Sequence, residues 1–206
     1  MKTIKLTKND FKDGEYVGEE IEAGSDVSVE IEGGLGRVMF KELSVKGGIV
    51  SNAGTGISAG MGISAGKGIS AGEGISAGEG ISAGEGISAG MGISAGDDIS
   101  AGWGISAGKG ISAGMGISAG WGISAGDDIS AGKGISAGDD ISAGKGISAG
   151  LSITCKLTLN VGYRIFAGIA TWKSKDSIND EDKTITCRNL ESGDVEYGIL
   201  KETHKK

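Results

Sequence analysis

The chain has no proline, a single histidine and only two cysteines in 206 residues. It also has no apolar run that approaches the length of a bilayer. Without proline, and with glycine not at every third residue, a collagen-like triple helix is excluded. Cys155 and Cys187 are too few for a disulfide scaffold. A two-cysteine metal site with no histidine partner is incomplete, so they read as buried small hydrophobes. The lone His204 lies in a tail, ETHKK, expected to be disordered, where it serves neither as a general base nor as a zinc ligand. Positive charge is short as well: 27 acids face 20 bases, a net −7, so a basic nucleic-acid footprint is missing. The opening MKTIKLTKND is charged and alternating, unlike a signal peptide, which makes the cytoplasm the expected location. No cofactor, metal, membrane or small-molecule substrate is expected.

What is present is one hexapeptide, Ile-Ser-Ala-Gly-X-Gly, repeated sixteen times, with Ile at 57, 63, 69 and every sixth position to 147. A short fixed period marks a coiled repeat architecture. Within a unit, Ile57 and Ala59 flank Ser58 with strand alternation, which puts Ile and Ala inward and Ser outward. The Gly-X-Gly segment reads as a corner, with glycines permitting positive φ. Its X side chain projects outward, because Met, Lys, Glu, Asp and Trp all occupy it.

Three hexads per coil give 18 residues. Stepping back by 18 and 36 from Ile57 meets Met39 and Ile21, and from Ile63 meets Val45 and Val27. From Ile69 the same steps meet Ser51 and Gly33, so the lead-in is expected to keep two apolar faces and lose the third. Corner charges agree with this period. Lys67 falls on Glu85, and Lys109, Asp127 and Lys145 alternate, whereas a 12-residue coil would stack Glu73 on Glu85 and Asp127 on Asp139. The expected fold is therefore all-β: a three-sided parallel β-helix (β-solenoid) of 18 residues per coil, capped at both ends. Counted from Ile21 to about Ala170, it has about eight coils and a length of roughly 40 Å.

Around the array, residues 1–20 read as an N-terminal cap and 21–56 as irregular first coils. Residues 57–150 form the regular solenoid, and 151–206 hold the last coils and a C-terminal β cap with a short flexible tail. In that last part Ile153, Leu159 and Ile165 keep the six-residue phase, and Ile185-Thr186-Cys187 echoes Ile153-Thr154-Cys155.

Ile-X-Ala at hexad spacing, flanked by glycine, resembles the bactofilins, bacterial polymer-forming proteins with a right-handed three-sided β-helix. It looks more closely like Gly-Ile-X-Ala-Gly repeat proteins of phages and mobile elements. Those often end in strands similar to YRIFAGIATW, TITC and GDVEYG here. The first resemblance implies filament formation, and the second implies a phage or mobile-element accessory protein without an assigned activity. Left-handed hexapeptide helices, as in acyltransferases and γ-carbonic anhydrases, usually place the small inward residue two before the aliphatic one. Here Ala59 follows Ile57, which favours the right-handed form.

Candidate sites are confined to the corners. Trp103 and Trp121 fall one rung apart at one corner, with Met91 and Met115 on the other two corners of the same coils. Tryptophan on a charged surface is enriched at binding hot spots, so these four are the expected contacts for a protein partner or for self-association. The pairs Asp97-Asp98, Asp127-Asp128 and Asp139-Asp140 occupy three different corners, which argues against a shared calcium ion and for acidic corners that aid solubility. Serine rows on the faces are expected to form hydrogen-bonded ladders. The composite expectation is a non-enzymatic binding rod, one version being an acidic inhibitor of a host defence enzyme. A scaffold that polymerises end to end is the alternative.

Overall fold

A computed structural model of the protein describes residues 1–19, 21–174 and 177–203. Among these residues there is no α-helix; every long element is a strand, and nearly all pairings are parallel. Each array strand pairs with the strand three later in sequence. Ile69, Ser70 and Ala71 stand on Ile87, Ser88 and Ala89, which stand in turn on Ile105, Ser106 and Ala107. The Ile75 and Ile63 series repeat this on two further faces. The coil is thus three-sided with an 18-residue period. We call these the first face (the Ile69 series), the second face (the Ile75 series) and the third face (the Ile63 series).

The inward rows are a stack of Ile side chains at 0–1 % exposure beside a stack of Ala. Burying one Ile is worth about 1.5–3 kcal/mol relative to leaving it exposed, and the array does this sixteen times in a row. Ser points outward on every rung because a strand alternates sides. The hydroxyl ladder expected on those rows does not form. Apart from Ser58, which accepts from Arg37 Nη2 at 2.8 Å, no array serine hydroxyl has a protein partner among the described residues. Hydroxyls on adjacent rungs lie about 4.8 Å apart, too far for a direct hydrogen bond.

Glycine at the corners has a different cause from the one expected. No array glycine has a positive φ. A Cβ on the first glycine of the corner, as at Gly102 or Gly120, would overlap the carbonyl oxygen of the equivalent glycine one rung earlier, Gly84 or Gly102. At the second position, as at Gly104, a Cβ would lie 3.2 Å from the Gly122 oxygen, a contact that small shifts absorb. Hence the first glycine is invariant across the array, while Asp98, Asp128, Asp140 and Ser152 replace the second.

The lead-in differs from the expected register. Ile57 stands on Val38, Ile63 on Leu43 and Ile69 on Ile49, so the coils there are nineteen or twenty residues long. Met39 lies under Ser58 and points out, and Val45 lies under Ala65. The third apolar row is not lost: Ile49 and Val29 fill it, both buried. The extra residues sit in turns such as Asn52–Thr55, where Gly54 takes a φ of 75° and Thr55 Oγ1 donates to the Glu32 carbonyl at 2.8 Å.

Regular stacking also extends further at both ends than the hexads do. Lys2–Leu6 is itself a rung, parallel to Val27–Ile31. Beyond it an antiparallel pair, Phe11–Lys12 with Glu15–Tyr16, closes the second face through Glu15 on Met39. There Phe11, Tyr16 and Phe40 form an aromatic plug with ring centroids 5.1–5.8 Å apart. At the other end Thr184–Cys187 stacks on Ile153–Cys155, and Ile199–Glu202 stacks on Thr184–Cys187. Thr158–Ala167 bends round a corner, setting Leu159 on Ile141 of the first face and Ile165 on Ile147 of the second. Asn189–Tyr197 follows it, so the first face has ten rungs and the rod is about 43 Å long. Of the tail expected to be disordered, Glu202 is in a strand and the Thr203 N–H donates to the Cys187 carbonyl at 2.8 Å; His204, Lys205 and Lys206 lie outside the described residues.

The two corner positions make opposite predictions. Gly102→Ala should lower stability by about 1–3 kcal/mol, the usual cost of overpacking, whereas Gly104→Ala should change it by less than about 1 kcal/mol. Urea unfolding of both variants measures this.

Candidate functional site

Each corner is a column of X residues joined by backbone hydrogen bonds from one rung to the next. The column that leads into the first face reads Lys67, Glu85, Trp103, Trp121, Asp139, Leu157. Its N–H groups donate to the preceding X carbonyl at 3.0–3.3 Å throughout this run. That ladder holds the Trp103 and Trp121 backbones one rung apart and in the same orientation. Their indoles follow: the rings stack with centroids 5.5 Å apart and an interplanar angle of 7°. The pair remains open to solvent, Trp103 at 49 % and Trp121 at 57 %.

Beside this corner the first face forms a shallow groove of about 930 Å³. Lys67, Glu85 and Trp121 line its wall and the outward serines, including Ser106 and Ser124, its floor. The methionines do not join this surface. Met91 is exposed on the corner between the first and second faces, flanked by Glu73 and Lys109. Met115 is half-buried on the third corner between Asp97 and Lys133. The structure thus brings the two tryptophans together and leaves each methionine on a different corner.

The acidic pairs also lie on three different corners, and their two members have different jobs. Asp98 Oδ1 accepts the Gly116 N–H at 2.7 Å, Asp128 Oδ1 the Gly146 N–H at 2.9 Å, and Asp140 Oδ1 the Thr158 N–H at 2.7 Å. Each recipient lies 18 residues on. The second Asp is therefore a clamp between rungs, a role missed when the pairs were read only as solubilising charge. The available signal was that this residue always replaces the second corner glycine. Of the first members, Asp127 forms an ion pair with Lys145 at 3.0 Å, and this hydrogen bond raises the Lys145 pKa above the ordinary lysine value. Asp97 and Asp139 have no such partner among the described residues.

Exposed aromatic groups toward the C-terminal end, Tyr163, Trp172 and Tyr197, were not picked out from sequence. Tyr163 continues the column of Lys145, its N–H bonded to the Lys145 carbonyl at 2.7 Å. Trp172, in the loop between Ala167 and Thr184, donates its indole N–H to the Gly132 carbonyl at 3.3 Å and carries the Lys173 ammonium 5.5 Å from its ring. The loop is held by the Lys173–Asp182 pair at 2.8 Å.

The interior holds two thiols. Cys155 and Cys187 are buried free thiols on successive rungs of the third face. Desolvation pushes Cys155 up to about 12 and raises Cys187 as well, so neither supplies a thiolate near neutral pH. Among the described residues no three His, Cys, Asp or Glu side chains are grouped to hold a metal ion, and no helix is long and apolar enough to cross a membrane. The fold defines a β-solenoid. No protein-family model matches the chain, and neither a curated protein nor a solved structure matches it.

Two outcomes test this geometry. Asp128→Ala should speed hydrogen exchange at the Gly146 amide and cost about 1 kcal/mol, while Asp128→Asn, which keeps an acceptor oxygen, should cost less than half of that. In native protein at pH 8 both thiols should resist iodoacetamide and react only after denaturation, as mass spectrometry would show.

Proposed function

We propose that the protein is a non-enzymatic rod that binds a protein partner through the stacked tryptophans. The observation that supports this reading is the exposed Trp103–Trp121 stack, whose backbones are held in one orientation by hydrogen bonds and whose Trp121 lines a long groove. Aligned indoles on a rigid corner lose little conformational freedom on binding, which is what a contact surface requires. The core is complete without them, and the remaining X positions of the array carry Met, Leu, Lys, Glu or Asp, none of them aromatic. An accessory protein of a phage or mobile element that blocks a host defence enzyme is one use for such a rod.

Self-association by end-to-end growth has less support. An antiparallel hairpin and its aromatic plug stand where the second face would have to accept a parallel rung. Growth at that end would have to displace them.

The decisive variant is Trp103→Ala with Trp121→Ala. It should unfold within about 1.5 kcal/mol of the parent, since only an exposed aromatic pair is removed. It should also lose the partner captured by the parent from cells that make the protein. Retention of every captured partner by the double variant, with its fold intact, would refute the tryptophan corner as the interface.

A further inference from the structure

The residues at either end of the indole stack indicate what the corner recognises. Glu85 stands one rung before Trp103, whose N–H donates to the Glu85 carbonyl at 3.1 Å. Asp139 stands one rung after Trp121 and donates its N–H to the Trp121 carbonyl at 3.0 Å. Each indole gives one face to its neighbour and turns the other toward a rung that carries a carboxylate. Both carboxylates are uncommitted. Neither Glu85 nor Asp139 forms an ion pair or a side-chain hydrogen bond among the described residues, although Lys67 is only one rung from Glu85. Asp140, beside Asp139, is already occupied with the Thr158 N–H.

We infer that this corner is a double guanidinium site, which takes two arginine side chains of a basic partner as the outermost layers of the aromatic stack. The inference rests on the reading of the tryptophan corner as a contact surface and adds the chemistry of its partner. A cation over an indole face is drawn by the ring quadrupole, and a carboxylate at the same level adds charge complementarity. A planar guanidinium can stack on the ring and hydrogen-bond the carboxylate at once, which the point charge of lysine cannot do. The surroundings favour a cation too: the chain carries a net −7, and its array holds nine acids against four bases.

Geometry sets the spacing. Glu85 and Asp139 are three rungs apart, about 14 Å. An extended strand lying along the corner covers that distance in four residues, at about 3.3–3.4 Å each. The matching ligand is therefore an extended segment with arginines four positions apart. Two adjacent arginines reach only one end of the stack.

The test is a titration of ¹⁵N-labelled protein with the capped peptide Arg-Gly-Ser-Gly-Arg, following the indole N–H signals. Trp172, whose indole N–H is held against the Gly132 carbonyl of another corner, serves as an internal reference. The signals of Trp103 and Trp121 should shift and that of Trp172 should not. Glu85→Gln with Asp139→Asn should weaken binding about tenfold. Glu79→Gln with Asp97→Asn removes the same charge from a different corner and should leave affinity within about twofold. The Lys-Gly-Ser-Gly-Lys peptide and a peptide with adjacent arginines should each bind several-fold more weakly.

The inference is overturned if the arginine peptide leaves both signals unmoved, if the two acid variants weaken it equally, or if the lysine peptide binds as well. Partner capture separates this failure from that of the broader reading. A partner lost by the tryptophan variant but kept by Glu85→Gln with Asp139→Asn leaves the corner standing and removes its guanidinium chemistry. A partner kept by the tryptophan variant removes the corner itself.

Discussion

Everything in this molecule depends on parallel strands stacking at the fixed spacing of a β ladder, about 4.8 Å. Because the coil is 18 residues long, each side chain in the array lies directly over the one 18 positions back. Inward, this produces continuous columns of Ile and Ala. At the corners it brings the backbone of one rung so close to the next that a Cβ on the first glycine would overlap a carbonyl oxygen. The glycine content, which in another chain would suggest disorder, is here a packing requirement. Stability in such an array is roughly a sum of repeat terms and neighbour terms, so most outward positions are left free of structural duty.

That freedom separates scaffold from surface. A residue in the X position contributes its backbone to the ladder whatever its side chain, and the side chain joins a column whose neighbours are known in advance. Opposite charges on adjacent rungs of one column can meet in an ion pair, as Lys145 and Asp127 do, although Lys67 and Glu85 do not. A carboxylate in the second glycine position reaches the amide of the next rung, as Asp98, Asp128 and Asp140 do. Two tryptophans in one column stack face to face. Stacking of this kind is worth about 0.5–1.5 kcal/mol, too little to account for leaving two half-exposed indoles on a charged surface.

The array was legible because its period is strict: Ile57 and Ala59 set the inward pair, and the corner charges distinguish an 18-residue coil from a 12-residue one. The stacking of Trp103 on Trp121 followed from the period alone. Less legible was the lead-in, where Val38, Leu43 and Ile49 take the places assigned to Met39, Val45 and Ser51. Turns one or two residues longer shift the register there, and a fixed step of 18 cannot register an insertion. The clamp formed by the second Asp was hidden because its partner is a backbone amide, which has no letter in the sequence. The glycine corners were assigned to the wrong cause for a similar reason, since steric approach between rungs is visible only once the rungs are built. Side-chain links inside a loop are hidden in the same way, as at Asn179–Asp182. There Asp182 accepts from the Lys173 ammonium and exchanges hydrogen bonds with Asn179.

The central claim is that residues 18 apart are stacked neighbours, and proximity labelling tests it directly. Ser106 and Ser124 face outward on adjacent rungs of the first face, whereas Ser118, twelve residues from Ser106, lies on the third face. Pyrene maleimide attached at Ser106→Cys and Ser124→Cys should give strong excimer emission in the native protein, and attached at Ser106→Cys and Ser118→Cys it should give monomer emission alone. Excimer from the second pair and none from the first would contradict the three-sided coil, and with it the alignment that stacks Trp103 on Trp121.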